Sequence, residues 1–405
     1  PPGYPVFLHA VFAAGGDLTP AGGVAAALAL AAALFLVGCV RRVHGALALP
    51  AAIAVAAYLA SPSPPLYEFS ILSESLYVTG LLLVFGALLV AVHGGGARWG
   101  VLASSAVAAV ILTRAAGFYL IVTLALAMAF LLRTRAGWRR VLGLALPLPL
   151  ALLGMATYNA RIRGEFTPNA AGESNLVGAT GTFLTERDDF PPAVNEAIRR
   201  SRARLSPRDR EVVERSWDPD RLWPIYLDDY NYAAHRTVAP AIREADLGPA
   251  ESRRLLGEVA FHAIRTHPWL YAKFVWTNVH RSFTSYTVNP HFPPTYQLEL
   301  HTRIFLDQRT LAAFRAHDTS PRTPSRLPAT VEEAYRLLVH GHRLVAKSGV
   351  WIALWLVSFL TSLNRCLRSR GRDPAGAYLL LLTSAAIGAG LLTSLVELAI
   401  ERYAY

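Results

Sequence analysis

Charge is what this chain has little of. Only 17% of its 405 residues are Asp, Glu, Lys or Arg, where a soluble domain carries about a quarter. Cysteine is scarcer still: Cys39 and Cys366 are the only two, which excludes a disulfide-stapled secreted scaffold. Both fall near segment ends read below as cytoplasmic, so no disulfide is expected. The long polar middle has no cysteine at all and therefore neither a thiolate metal site nor a covalent staple. An initiator Met and a signal-like leader are also lacking at Pro1-Pro2-Gly3, so residues are expected to be missing from the front. The ending Glu401-Arg402-Tyr403-Ala404-Tyr405, directly after an apolar run, carries the same expectation for the back.

Apolar sequence is plentiful instead. Hydrophobic residues make up 53% of the chain and mean hydropathy is +0.33, with runs long enough to cross a bilayer. A soluble enzyme and a disordered chain are excluded; the expected class is an all-α polytopic membrane protein. Helices are expected near 21–40, 46–60, 72–92, 99–113, 117–132, 141–158, 350–364 and 377–399. Several fall short of the ~20 residues a full span prefers. The domains expected are an N-terminal transmembrane bundle over 1–158, a polar insert over 159–348, and two C-terminal transmembrane helices within 349–405.

Charge also gives the sidedness. Nearly all basic residues are Arg, and the formal net charge is +11. The insert holds 22 of the 28 acidic and 26 of the 39 basic residues, and 13 basic residues remain outside it. Of those, Arg41, Arg42, Arg98, Arg133, Arg135, Arg139, Arg140, Arg365, Arg368, Arg370 and Arg372 fall in alternate loops. Only Arg114 and Arg402 are left for the other side. Basic residues accumulate in cytoplasmic loops. The insert, the N-terminal Pro-Gly segment, the 61–70 loop and the C-terminal end are therefore expected to be extracytoplasmic, in a multi-pass inner (plasma) membrane protein. Basic charge so distributed is loop charge, and no nucleic-acid partner is expected.

Within the insert, 190–265 reads as short amphipathic helices, for example 191–205 and 251–266. After His267-Pro268 a further helix puts Trp269, Ala272, Trp276, Val279 and Phe283 on one face, and Lys273, His280 and Arg281 on the other. Such an aromatic stripe suits a helix lying in the membrane interface, or one packed on the rest of the insert. Residues 287–330, rich in Pro, read as an irregular crossing loop.

Five stretches can carry chemistry. They are Pro1-Pro2-Gly3-Tyr4-Pro5; Ser73-Glu74-Ser75-Leu76-Tyr77; Leu112-Thr113-Arg114-Ala115-Ala116-Gly117; Tyr158-Asn159-Ala160-Arg161 on to Gly172-Glu173-Ser174-Asn175; and Glu401-Arg402-Tyr403. A helix over 99–132 would be about 50 Å long, too long for a ~30 Å hydrocarbon core, so a break at Arg114 is expected. A guanidinium at that turn can donate paired hydrogen bonds to a phosphate oxyanion, or can snorkel to lipid headgroups. Glu74 either complements the helix N-terminus or is functional, for instance by pairing with Arg114. Arg402 and Glu397 can form a local ion pair.

In order and spacing these stretches resemble the GT-C superfamily of lipid-linked-sugar glycosyltransferases. The likeness is nearest to bacterial relatives of protein mannosyltransferases and lipid A aminoarabinose transferases. It spans most of the first 180 residues. It implies a GT-C-like helical bundle with a mainly helical extracytoplasmic insert, and transfer of a sugar from a polyprenyl-phosphate donor to a glycan, lipid or protein acceptor beside membrane lipids. The substrate-binding residues implied are Tyr4, Glu74, Arg114, Asn175 and Arg402. The family's catalytic base is an Asp upstream of the Pro-Pro-Gly-Tyr-Pro element, where this chain begins, so no catalytic residue is assigned within it. Asp17, which follows that element, reads as a turn or cap residue.

No cofactor is implied and no metal site is expected. Asp218-Pro219-Asp220 and Asp228-Asp229 read as surface acids, and His262, His267, His340 and His342 lack a metal-binding signature. Two other classes remain open. A transporter or lipid flippase would want midplane polar residues and internal repeats, and a non-catalytic membrane scaffold would use the insert to bind a partner.

Overall fold

A computed structural model of the chain describes residues 3–15, 21–59, 74–135, 137–164, 166–168, 172–245, 247–284, 350–370 and 372–396. Helix is the only extended secondary structure among them. The apolar part begins with α1 (Gly3–Gly15), α2 (Ala21–Val43) and α3 (Ala48–Leu59). There follow α4 (Glu74–Val92), α5 (Ala97–Thr113), a 3-10 turn (Ala115–Tyr119), α6 (Leu120–Arg133), α7 (Trp138–Ala145) and α8 (Pro147–Arg163). Among the described residues, four stretches are long and apolar enough to cross a membrane: Ala21–Val43, Ser75–Val92, Ala115–Arg133 and Trp138–Ile162.

Two boundaries differ from expectation. The Pro-Gly segment at the front is helical from Gly3, because Pro5 falls in the first turn, where no N–H is owed to the helix. The helix expected over 141–158 is two helices meeting at Leu146. Pro147 cannot donate to the turn before it and restarts the helix at its first position. The Leu148 N–H, freed by that restart, donates 3.1 Å to the Ser104 hydroxyl of α5. Satisfying backbone donors in this way is required wherever water is absent.

The insert contributes α9 (Gly172–Ala179), α10 (Pro192–Arg204), α11 (Pro207–Arg215), α12 (Pro219–His235), α13 (Val238–Arg243), α14 (Pro249–Thr266) and α15 (Pro268–Thr284). The chain then returns through α16 (Val350–Arg368) and α17 (Pro374–Val396). Apolar residues of the bundle and the insert build separate cores. Val84, Leu88, Val107, Leu120, Leu124, Leu144 and Leu381 join α4 to α7 with α17. Val177, Leu184, Ile198, Ile242 and Val259 fill one core of the insert, and Leu222, Tyr226 and Phe274 a second. The α17 helix links the two parts, packing on α6 and α4 on one side and on α15 and α9 on the other.

The arginine-rich loops meet at one end of the bundle. Arg133 Nε donates 2.6 Å to the Arg370 carbonyl across 237 residues. Arg42 lies 5.6 Å from the Trp99 ring centroid, and His44 and His93 face each other at 3.3 Å between Nε2 atoms. Arg365 pairs with Asp373 at 2.7 Å. The 41–44, 93–99, 133 and 365–373 segments are therefore neighbours.

Two charged residues of the insert sit where the sequence did not put them. Lys273, expected on the polar face of α15, is buried at 4% exposure. Its Nζ donates to the Val213 carbonyl at 3.1 Å and to that of Glu214, ending α11 as a cap. The ammonium also lies 5.5 Å from the Trp217 ring. Asp229, expected to be a surface acid, is 2% exposed, and its Oδ2 has no hydrogen-bond partner. Asp218 is exposed as expected, and it also caps α12, accepting from the Asp220 N–H at 3.0 Å.

Candidate functional site

The end of the bundle away from the arginine loops holds the candidate site. Helix α5 stops at Thr113, and Arg114 turns extended, with φ −152° and ψ 127°. Its N–H still closes the last turn on the Val110 carbonyl at 2.8 Å, and its own carbonyl accepts from Gly117 at 3.0 Å. A side chain on Gly117 would meet the Val110 Cγ1 at 2.8 Å and the Ile111 nitrogen at 3.2 Å. Only glycine lets the turn fold back this tightly onto α5. The expected break at Arg114 is thus present, made by an extended residue followed by a 3-10 turn.

Arg114 is half-buried, with its guanidinium carbon 6.0 Å from the ring centroid of Tyr77 on α4. A cation over a ring at this range gains about 0.5–1 kcal/mol. The Tyr77 hydroxyl donates 3.1 Å to the Tyr119 hydroxyl, at the last position of the 3-10 turn. Tyr119 is buried and packs against Gly388 of α17. Three helices and the turn therefore fix the floor on which Arg114 lies.

The front of the chain closes one side. An added Cβ at Gly3 would lie 2.8 Å from the Leu112 carbonyl oxygen and 3.0 Å from the Thr113 nitrogen. The start of α1 thus rests directly on the backbone leading into Arg114. Tyr4 follows, half-buried and stacked on Phe7 with centroids 6.0 Å apart. Glu74 is the first residue of α4, one turn ahead of Tyr77; its side chain lies outside what the structure describes. Tyr4, Arg114 and the start of α4, from three distant parts of the sequence, share one end of the bundle.

Asn175 belongs to the insert, on α9, which reaches the bundle by packing on α17. Arg402, Glu397 and Asp17 lie outside the described residues. Tyr77 and Tyr119 escaped the sequence analysis as site residues. Each carried a local signal: Tyr77 ends the Ser-Glu-Ser-Leu-Tyr stretch, and Tyr119 stands two residues past Gly117. Among the described residues, no group of three or more His, Cys, Asp or Glu is placed to hold a metal ion. Within the insert, His262 makes an edge contact with Phe190 at 5.8 Å and His267 one with Phe183 at 6.4 Å.

Chemically, the arrangement offers a fixed cation with a planar donor fork and two phenolic hydroxyls at a helix break, lined by apolar helices. That combination suits a phosphate whose hydrocarbon tail stays among the helices. No family model, no curated protein and no solved structure matches the chain.

Proposed function

We propose that this is an integral-membrane glycosyltransferase that moves a sugar from a polyprenyl-phosphate donor to a glycan, lipid or protein acceptor on the extracytoplasmic face. The observation that carries the reading is the convergence at Arg114. A half-buried guanidinium stands on Tyr77, at the bundle end opposite the arginine loops, and the start of α1 packs on the backbone that leads into it. The donor's tail lies along the apolar helices and its phosphate meets Arg114. As the sugar–oxygen bond breaks, negative charge grows on the departing polyprenyl phosphate, and the paired N–H donors of Arg114 stabilise it. The acceptor hydroxyl loses its proton to a general base, which the family resemblance makes a carboxylate. Tyr4 shapes the rim, and Glu74 and Asn175 are the groups proposed to contact the saccharide.

Donor binding tests the reading in the chain as it stands. Polyprenyl phosphate should bind the purified protein in lipid nanodiscs, and Arg114→Ala should weaken it about 10–100-fold, the equivalent of one charge-assisted contact of about 1.5–3 kcal/mol. Equal binding by wild type and Arg114→Ala would remove the phosphate from this site.

A further inference from the structure

Helix α15 wears its aromatic side outward. Trp269 is 74% exposed and Trp276 47%, and seven residues of spacing puts both on one face. The face beside it, from Lys273 round to Asn278, is already used: Lys273 is 4% exposed, Phe274 1%, and Thr277 and Asn278 0%. Of the two destinations open to the aromatic stripe, packing on the insert is therefore taken by the other face. Two large rings remain outward, and leaving them in water forgoes the gain that burying their apolar area would bring.

The level of the helix is fixed as well. Tyr271 on α15 donates its hydroxyl to the Leu395 carbonyl at 2.5 Å, in the last turn of α17. That helix starts beside the arginine loops at Asp373 and passes Tyr119 at Gly388. Its last turn is thus at the Arg114 end of the bundle. A helix tied there stands at the boundary where apolar helices give way to the polar insert. Tryptophan favours that boundary, since its ring is apolar and its N–H wants a wet partner.

We infer that α15 lies in the membrane interface, with Trp269 and Trp276 seated among the lipid headgroups of the bilayer that the bundle spans. The occupant of this face is lipid, and the insert is held down on the membrane at the end where Arg114 opens. The inference rests on the membrane reading above, and the experiment separates the two. With Cys39 and Cys366 replaced by Ala, single cysteines at Trp269, Trp276, Leu153 and Arg254 are labelled with bimane and the whole chain is placed in phosphatidylcholine vesicles. Leu153 is an outward residue of α8 at 54% exposure, and Arg254 an exposed residue of α14.

Labels at 269 and 276 should be quenched more by nitroxide near the lipid headgroup than by nitroxide near the chain end, at a depth of about 5–10 Å. They should also be sheltered from iodide. The Leu153 label should answer to deep nitroxide and the Arg254 label to iodide alone. Iodide quenching at 269 and 276, with Leu153 still quenched from lipid, overturns the interfacial helix and leaves the membrane reading standing. Shelter from both quenchers shows that protein covers the face, whether a second copy or another part of the chain, and overturns it equally. A Leu153 label blind to every nitroxide ends the membrane reading and this inference with it. Quenching of native tryptophan emission by brominated lipid, reduced in the double variant Trp269→Leu/Trp276→Leu, repeats the test without a label.

Discussion

Asp229 sits where a carboxylate is hard to ionise. Burial pushes its pKa up to about 7, with Asp228 and Asp209 adding to the shift and Arg204 opposing it. Unfolded, the same group titrates near 3.9. Between about pH 4 and 7 the folded state therefore holds more protons than the unfolded one, so stability falls as pH rises through that window and levels off above it. The full loss is of the order of a few kcal/mol. Hydrogen exchange of the α12 amides should show greater protection at pH 5 than at pH 8, after correction for intrinsic rates. Asp229→Asn should erase the difference; an unchanged pH profile in that variant would assign it to another group. Lys273 is the opposite case, a buried charge with good partners. Lys273→Met leaves the Val213 and Glu214 carbonyls without their donor and should lower stability by about 1–3 kcal/mol in chemical denaturation. Arg114 carries the functional prediction. In protein expressed from its own gene, Arg114→Ala should cut transfer by about 10²–10³, as loss of an oxyanion donor does elsewhere, and Arg114→Lys should recover part of it. Near-wild-type turnover by Arg114→Ala would leave a plain interface arginine. Arg114 was legible in the sequence because a charge inside an apolar run breaks a strong pattern. Asp229 and Lys273 were not, because their burial depends on which neighbours α12 and α15 meet, and no periodicity records that.

At the scale of elements, hydropathy found most of the bundle and local geometry supplied the rest. Apolar runs marked α2, α4 and α6 because burial drives them whatever their partners. The start of α1 was hidden, since Pro1-Pro2-Gly3-Tyr4-Pro5 reads as loop chemistry until the first-turn tolerance of proline is allowed for. The split between α7 and α8 was hidden too, because leucines run on through Pro147. Contact of α1 with the site hangs on Gly3, whose Cα faces the Leu112 carbonyl with no room for a methyl group. Gly3→Val should therefore lift α1 from α5. Amides of α1 should exchange far faster in the variant while those of α4 and α5 keep their protection. Unaltered protection of α1 would mean that its docking is carried elsewhere, for instance through Val11, which is buried.

The whole molecule has two chemically different ends. One end gathers Arg42, Arg133, Arg365 and Arg370 with the His44–His93 pair. The other carries the Arg114 turn and, through α15 and α9 on α17, the insert. The sequence assigned those arginines to one side by counting alternate loops, which is arithmetic on helix number. The loop-to-loop contacts between residues 237 positions apart are an independent geometric reason to keep them together. If basic loops stay in the cytoplasm, the insert faces outward. Arg208 in α11 and Arg368 at the end of α16 are both exposed and make better probes than their serine neighbours. Ser206 caps α11 by accepting from the Asp209 N–H at 3.1 Å, and Ser369 accepts from the Asp373 N–H at 3.1 Å. With Cys39 and Cys366 replaced by Ala, Arg208→Cys should react with a membrane-impermeant maleimide in intact cells, and Arg368→Cys only after the membrane is opened. Reaction at 368 alone in intact cells would invert the molecule and put the Arg114 site in the cytoplasm. Reaction at both in intact cells would mean that the two arginine-bearing segments share a side, and α17 would then no longer separate the insert from the arginine loops.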